Sequence, residues 1–148
     1  MKNVVLFIYV FTFFGFSQEL TLNEELNIYN YEVVKDLQIT VAERLDIFEK
    51  KLKELNYNNI VKDETSIKSE SFVTKMIFGS AMEVHYNVYI QFKEDRYKLL
   101  LNDFTVNDVR FGKVAIETMK KSSRKRWIGF INKELPQILA NIENTSSW

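Results

Sequence analysis

The sequence contains a single histidine, His85, the residue type best suited to acid–base catalysis near neutral pH. A hydrolytic site would also need a nucleophile and a group that orients the imidazole ring. The nearest serine along the chain is Ser80, and no motif joins it to a histidine and a carboxylate. We therefore predict that the protein is not an enzyme and that His85 lies at a surface or interface. A catalytic site assembled from residues far apart in the chain stays open.

Metal-ligand chemistry has little support in the residue pattern. The chain has no cysteine and one histidine, and it lacks the ligand spacings of zinc and calcium motifs. The Asn-Asp pairs at 102–103 and 107–108 bring oxygen-bearing side chains near one predicted strand end, which would suit weak calcium binding. Asn and Asp also form turns with their own backbone, and we favour that role. The glycines at positions 79 and 112 belong to no phosphate-binding motif, so we expect no metal and no cofactor.

One dense group of charges is the stretch KKSSRKRW at residues 120–127. Its five cations, called here the basic cluster, are Lys120, Lys121, Arg124, Lys125 and Arg126. Such cations bind the phosphate groups of lipids, lipopolysaccharide or nucleic acids. Aromatic side chains do not interleave with them as in a single-strand binder, and the helical step spreads residues 124–126 over about 200° of arc. Two uses stay open, contact with an anionic envelope surface or pairing with the protein's own carboxylates.

The first 17 residues have the three-part layout of a secretory signal peptide. A start containing Lys2 is followed by an apolar run of 13 residues, Val4–Phe16, and cleavage is expected after Ser17. A membrane-spanning helix needs about 20 apolar residues, so this run is too short to span; an uncleaved anchor or a buried strand is the alternative. Without cysteine the chain has no disulfide and no lipidated residue. We predict a soluble periplasmic or secreted bacterial protein that is not a lipoprotein and has no nucleic-acid partner.

Removing the signal peptide would leave 131 residues, enough for one domain with a core. We predict a polar lead-in at 18–27, a single domain at 28–143 and a tail at 144–148. Residues 18–109 carry 11 basic and 17 acidic side chains, whereas residues 110–148 carry 8 basic and 3 acidic ones. The domain is therefore expected to be a charge dipole.

Hydrophobic periodicity predicts the elements of this domain. Ile28–Lys35 is rich in aromatic and β-branched residues and predicts a strand. Thr40 and Glu43 fit a capping box, and apolar residues at helical spacing continue to Leu55. Strands are predicted at 64–70, 72–78, 84–92 and 96–106, and a second helix at about 122–144. Pro136 lies inside that helix, so we expect a kink or a division into two helices.

The hairpin of residues 84–106 alternates strictly between apolar and mixed positions, which predicts two different faces. If Lys93 pairs with Arg96, the core face contains Phe92 with Tyr97, Ile90 with Leu99, and Val88 with Leu101. The opposite side, called here the open face, contains Gln91 with Lys98, Tyr89 with Leu100, Asn87 with Asn102, and His85 with Phe104. Helices of a two-layer protein cover one side only, so an exposed group here would be typical of a partner surface. The lead-in or residues 113–119 could instead cover it, and a shift of one residue would exchange the faces.

The order strand, helix, four strands, helix predicts an α+β two-layer sandwich, with an antiparallel sheet of about five strands and two helices on one face. Three segments carry a resemblance to a known family: RLDIFEKKLKEL, the hairpin VHYNVYIQFKEDRYKLLLNDFTV, and RKRWIGFINKELPQILANI. Over residues 28–143 the chain resembles a bacterial domain-of-unknown-function family with a TATA-binding-protein-like (TBP-like) fold. The resemblance implies that fold and a signal peptide. It transfers no site residue, and the fold name does not imply DNA binding.

The function predicted from the sequence is that of a non-enzymatic binding module of the bacterial envelope. Its candidate partner surface is formed by His85, Tyr89, Leu100 and Phe104, for an unknown protein partner or for self-association. The alternative is a binder of anionic lipid or lipopolysaccharide phosphates through the basic cluster.

Overall fold

The protein is described by a computed structural model that covers residues 19–108 and 112–143. Its strands are β1 (Thr21–Asn23), β2 (Ile28–Asp36), β3 (Asn58–Lys62), β4 (Ser66–Ile77), β5 (Ser80–Lys93), β6 (Arg96–Asp108) and β7 (Gly112–Ala115). Its helices are α1 (Val41–Glu54), α2 (Lys121–Glu143) and a short 3-10 helix (Ile116–Thr118). The predicted signal peptide and the tail at 144–148 lie outside the described residues.

The first helix begins where the sequence predicts it. The Thr40 hydroxyl accepts a hydrogen bond from the Glu43 N–H at 3.3 Å, and the Glu43 carboxylate accepts one from the Thr40 N–H at 3.1 Å. This reciprocal pair is a capping box, which satisfies N–H groups that the first turn leaves without partners. Leu45, Phe48 and Leu52 form the buried stripe of α1. The predicted helix and its cap are confirmed.

Replacing Thr40 by alanine is expected to lower the free energy of unfolding by about 1 kcal/mol, because the Glu43 N–H loses its acceptor. Urea denaturation followed by circular dichroism measures the change. Gln38→Ala is the matched control, since Gln38 is exposed two residues before the cap. Equal stability of the Thr40 variant and the control would contradict the capping role.

Across the described residues the sheet is antiparallel and has seven strands, with β6 at its centre. Along the main path the order is β1-β2-β6-β5-β4-β3, and β7 also pairs with β6. On one side of β6, β2 pairs with its first part (Arg96–Leu101) and β7 with its last part (Thr105–Asp108). The helix α1 connects β2 to β3 at the other edge of the sheet, so it must cross over one face.

Both helices pack on that face and form the core with it. The Phe48 ring of α1 lies 5.9 Å from the Phe92 ring and 5.4 Å from the Tyr97 ring, between centroids. From α2, Trp127, Ile131, Leu135, Ile138, Leu139 and Ile142 are buried. The predicted α+β two-layer sandwich is confirmed, with more strands than expected. Within the described residues no helix is long and apolar enough to cross a membrane.

Several elements differ from the prediction or were left open by it. The strands predicted at 64–70 and 72–78 are one strand, β4, and the polar strand β3 was not predicted. At Pro136, where a kink or a division into two helices was predicted, the helix is not divided: α2 runs through the proline as a single helix, with the proline on its exposed side. Residues 21–23 of the lead-in form β1, and residues 113–119 contain most of β7 and the 3-10 helix. Edge strands pair through backbone groups, whatever side chains they carry. A strand with polar side chains lacks the hydrophobic periodicity by which a sequence indicates a strand, so these strands were not predicted.

Candidate functional site

The open face of the sheet carries residues from five strands and is not packed by either helix. Its middle is a row of four neighbours on adjacent strands: Lys68, Tyr89, Leu100 and Glu32. Tyr89 and Leu100 pair directly, as the sequence predicted, and both are half-buried. The Lys68 amine lies 5.2 Å from the centre of the Tyr89 ring, a cation–π contact. The row thus has a cation at one end, an anion at the other and apolar surface between them.

A shallow depression of about 570 Å³ lies over three residues of this row, Lys68, Tyr89 and Leu100. Beside the row it is bordered by Asn59, Val61, Glu70, Asn87, Asn102 and Asp103. The amide and carboxylate groups can donate and accept hydrogen bonds around the apolar centre. An apolar centre with a polar rim is the usual composition of a protein-binding surface.

His85 lies on the open face, as predicted, with two neighbours. Its Nε2 atom is 2.9 Å from the Glu83 carboxylate, and its ring centre is 5.4 Å from that of Phe72. The hydrogen bond to Glu83 and the contact with Phe72 together hold the imidazole ring on this face. Among the described residues, no serine or threonine hydroxyl is hydrogen-bonded to His85.

Phe104 is the predicted surface residue that the structure places elsewhere. The predicted pairing holds from Lys93–Arg96 to Asn87–Asn102, but then β6 contains one extra residue, and His85 pairs with Thr105. This bulge reverses the side-chain alternation, so Phe104 points into the core. Its side chain is 0 % exposed, and its ring stacks 5.9 Å from the Tyr86 ring. The assignment of Phe104 to the partner surface was wrong.

The sequence does contain a signal for this bulge at Asn102-Asp103. Asp103 has a φ of 54°, in the left-handed region that Asp and Asn tolerate better than most residues. The Asp103 carboxylate accepts a hydrogen bond from the Asn87 side chain at 2.9 Å. The turn role preferred for this pair over calcium binding therefore takes the form of a bulge. Within the described ranges, no three His, Cys, Asp or Glu residues could hold a metal ion together.

Four exposed apolar residues of the open face were not predicted as part of the surface. They are Val34 of β2, Val61 of β3, and Phe72 and Met76 of β4. Phe72 and Met76 alternate with the inward-facing Val73 and Ile77, a pattern visible in the sequence. Their membership of this face depends on the pairing of β4 with β5, which the sequence did not specify.

The lead-in and residues 113–119, which the sequence allowed as covers of the open face, extend the sheet at its edges instead. The lead-in strand β1 pairs with the edge of β2, and β7 pairs with the edge of β6. The flanking contacts reach the helix side: the Leu20 N–H donates to the Asn132 side chain, and the Tyr29 N–H donates to the Glu117 carboxylate. Neither described segment lies over the row of Lys68, Tyr89, Leu100 and Glu32.

The basic cluster lies at the start of α2, with Lys120 just before the first helical residue. Arg124 donates a hydrogen bond to the Glu117 carbonyl at 3.2 Å and is half-buried, whereas the other four cations are exposed. No ion pair formed between described residues involves any of the five.

Two solved structures of bacterial proteins share this architecture. One is a DUF4468 family protein from Bacteroides ovatus, with a TM-score of 0.59 and 13% identity, covering 78% of this chain and 84% of that one. The other is a TBP-like protein from Parabacteroides distasonis, with a TM-score of 0.51 and 14% identity, covering 79% of this chain and 94% of that one. This chain has the TBP-like fold. The fold implied by the sequence resemblance is thus confirmed.

The TBP-like fold leaves one face of the sheet uncovered, because both helices of the described residues pack on the other face. At 13–14% identity the two structures show the fold alone, so no residue role is transferred from them. No protein-family model matches the chain, and no curated protein matches it either.

Proposed function

We propose that the protein is a non-enzymatic interaction module, exported from the cell, whose open face binds a second copy of the chain. The observation that carries this proposal is the uncovered row of Lys68, Tyr89, Leu100 and Glu32. Export rests on the signal-peptide pattern of residues 1–17 and completes the proposal.

The first support is the apolar content of the open face. Val34, Val61, Phe72 and Met76 are between 44% and 65% exposed. Val61 pairs with Lys68 of the row, and Phe72 and Met76 follow on the same face further along β4. Exposed apolar groups that share one face mark interaction surfaces more often than single exposed side chains do. Aromatic residues and methionine are also the types enriched at the centres of interfaces.

The second support is the order of charges along the row, which makes the face complementary to itself. A two-fold axis parallel to the strands and midway between β5 and β6 exchanges the two ends of the row. Lys68 of one copy then faces Glu32 of the other, and Tyr89 faces Leu100. Within one chain Glu32 is 3.7 Å from Lys98 with both side chains well exposed, a weak pair that leaves the carboxylate available.

Sedimentation velocity on residues 18–148 tests this interface across a concentration series. We expect a monomer–dimer equilibrium that Tyr89→Ser weakens by about 2 kcal/mol, or roughly thirtyfold, because a central aromatic anchor is lost. Lys68→Glu and Glu32→Lys should each weaken it too, since each places like charges together. The double variant Lys68→Glu/Glu32→Lys should restore dimerisation, because the two ends of the row are then exchanged.

Lys121→Glu is the matched control, because it reverses an exposed cation on the helix side of the domain. A monomer at every concentration would overturn the self-association. Failure of the double variant to recover would overturn the two-fold arrangement. Binding of a different protein to the open face, without dimerisation, would replace the second copy as the occupant.

A further inference from the structure

An apolar cleft lies on the helix side of the sheet, between the far end of the β4–β5 hairpin and the first turn of α2. Its volume is about 550 Å³, within the range of about 300–1,000 Å³ typical of small-molecule sites. Its apolar wall contains Ile77, Met82, Val114, Met119 and Trp127. Ile77 and Met82 pack against the core, so the cleft is separate from the open face.

Two cations of the basic cluster, Lys120 and Arg126, stand at the rim, together with Ser123. Neither takes part in an ion pair between described residues. Asp108 also lines the cleft and has an interaction of its own. The first turn of α2 contains no acidic residue, so its dipole adds positive potential at the same place. A ligand in the cleft therefore meets a cationic rim above an apolar wall.

A third cation, Lys75, lies near Trp127. The Lys75 amine lies 5.0 Å from the centre of the Trp127 ring and 4.7 Å from that of Phe130. Burial, and then the charges of Arg126 and Lys133, lower the pKa of Lys75. The positive charges around Trp127 thus oppose one another, and a bound anion would relieve that repulsion.

The hairpin tip adds an exposed aromatic group at the mouth of the cleft. Phe78 lines the cleft and is fully exposed, with a left-handed φ of 47° in the two-residue turn before Ser80. Non-glycine residues rarely adopt this conformation, and a bulky one is a clear exception. Because Phe78 is fully exposed, an apolar ligand that covers it removes a large apolar surface from water, which favours binding.

We propose that this cleft binds a single-chain anionic amphiphile. The acyl chain lies against Ile77, Met82 and Trp127, and Phe78 closes over it. Lys120 and Arg126 hold the carboxylate or phosphate head group at the rim. The apolar wall and the cationic rim together favour this ligand class. A free anion has no acyl chain to pack against the wall, and a neutral detergent has no charged head group for the rim to bind.

Fluorescence of Trp127 provides the readout. The chain has two tryptophans, so a Trp148→Phe background leaves Trp127 as the single tryptophan, which is excited selectively at wavelengths that the tyrosines do not absorb. Dodecyl phosphate, dodecanoate, inorganic phosphate and neutral dodecyl maltoside are titrated below their micelle concentrations. We expect saturable changes with both charged dodecyl ligands and binding at least about tenfold weaker for inorganic phosphate and for the maltoside. The tighter of the two charged ligands identifies the preferred head group.

Two pairs of substitutions distinguish a site from general attraction to positive charge. Lys120→Gln/Arg126→Gln is expected to weaken dodecyl phosphate binding at least about tenfold, whereas Lys121→Gln/Lys125→Gln changes it little. Both pairs remove two charges from exposed positions of one stretch, and circular dichroism verifies that both fold. Equal losses in the two pairs, equal binding of inorganic phosphate, or no saturable change would each overturn the proposal.

Discussion

Replacing Phe104 by alanine is expected to lower the free energy of unfolding by about 3–5 kcal/mol, the usual cost of removing a buried aromatic side chain. Phe104 is 0 % exposed and stacks on Tyr86, and it points inward because of the bulge at Asp103. The expected loss is a large fraction of the stability of an ordinary domain, about 5–15 kcal/mol. Urea denaturation of the variant measures it.

Phe72→Ala is the matched control, because it removes the same side chain from the open face, where Phe72 is 44% exposed. Its cost should be well below that of Phe104→Ala, since less apolar surface returns to water and no internal cavity forms. The pair of measurements decides which register β6 adopts after Asn102. Equal and small losses would place Phe104 on the open face and contradict the bulge.

Stability is also expected to fall steeply above about pH 10, because of four tyrosines whose pKa values are raised in the folded protein. Burial is the main cause for Tyr31, Tyr57, Tyr86 and Tyr97. The Tyr57 and Tyr86 hydroxyls lie 3.1 Å apart, and the interaction with Tyr86 raises the pKa of Tyr57 further.

The direction of the effect follows from proton binding in the two states. Above the ordinary tyrosine pKa of 10.0 the unfolded chain loses its phenolic protons while the folded chain keeps them. The stabilisation that the protonated tyrosines provide is therefore fully present below pH 10. It is lost as the pH rises toward the pKa values of these tyrosines in the folded protein. Each tyrosine contributes a slope of up to about 1.4 kcal/mol per pH unit.

Urea denaturation at pH values from about 8 to 11 measures this slope. Tyr57→Phe/Tyr86→Phe should reduce it by up to about 2.7 kcal/mol per pH unit, while stability at neutral pH changes little because both hydroxyls are removed together. Lysine titration is common to both proteins and cancels in the comparison. An unchanged slope in the double variant would contradict the burial of this pair as the cause.

Much of the fold could be predicted because it depends on residue patterns within single helices, strands and hairpins. Thr40 and Glu43 define the start of α1, and the alternation from Val84 to Phe92 defines the two faces of β5. The hairpin pairing was predictable from its turn as far as Asn87–Asn102. Strand β3 was missed because an edge strand with polar side chains differs little from a loop in composition.

The candidate surfaces were only partly predictable. Tyr89 and Leu100 were identified because they lie on neighbouring strands of one hairpin, where sequence separation is short. Glu32 and Lys68 joined them only through the pairing of β2 with β6 and of β4 with β5. The cleft beside Trp127 combines β4, β5, β7 and α2, and no local motif marks a site built from such distant segments.

The sequence by itself determined the α+β class, the capped first helix, the core face of the central hairpin and the composition of the basic cluster. These features depend on residues within one turn, one strand or one hairpin, whose spacing is set by backbone geometry. Only the tertiary structure decided that Phe104 is buried, that Lys68 and Glu32 end one row, and that Lys120 and Arg126 border an apolar cleft. One extra residue in β6 and the order of strands in the sheet bring about these differences, because each changes which side chains share a face.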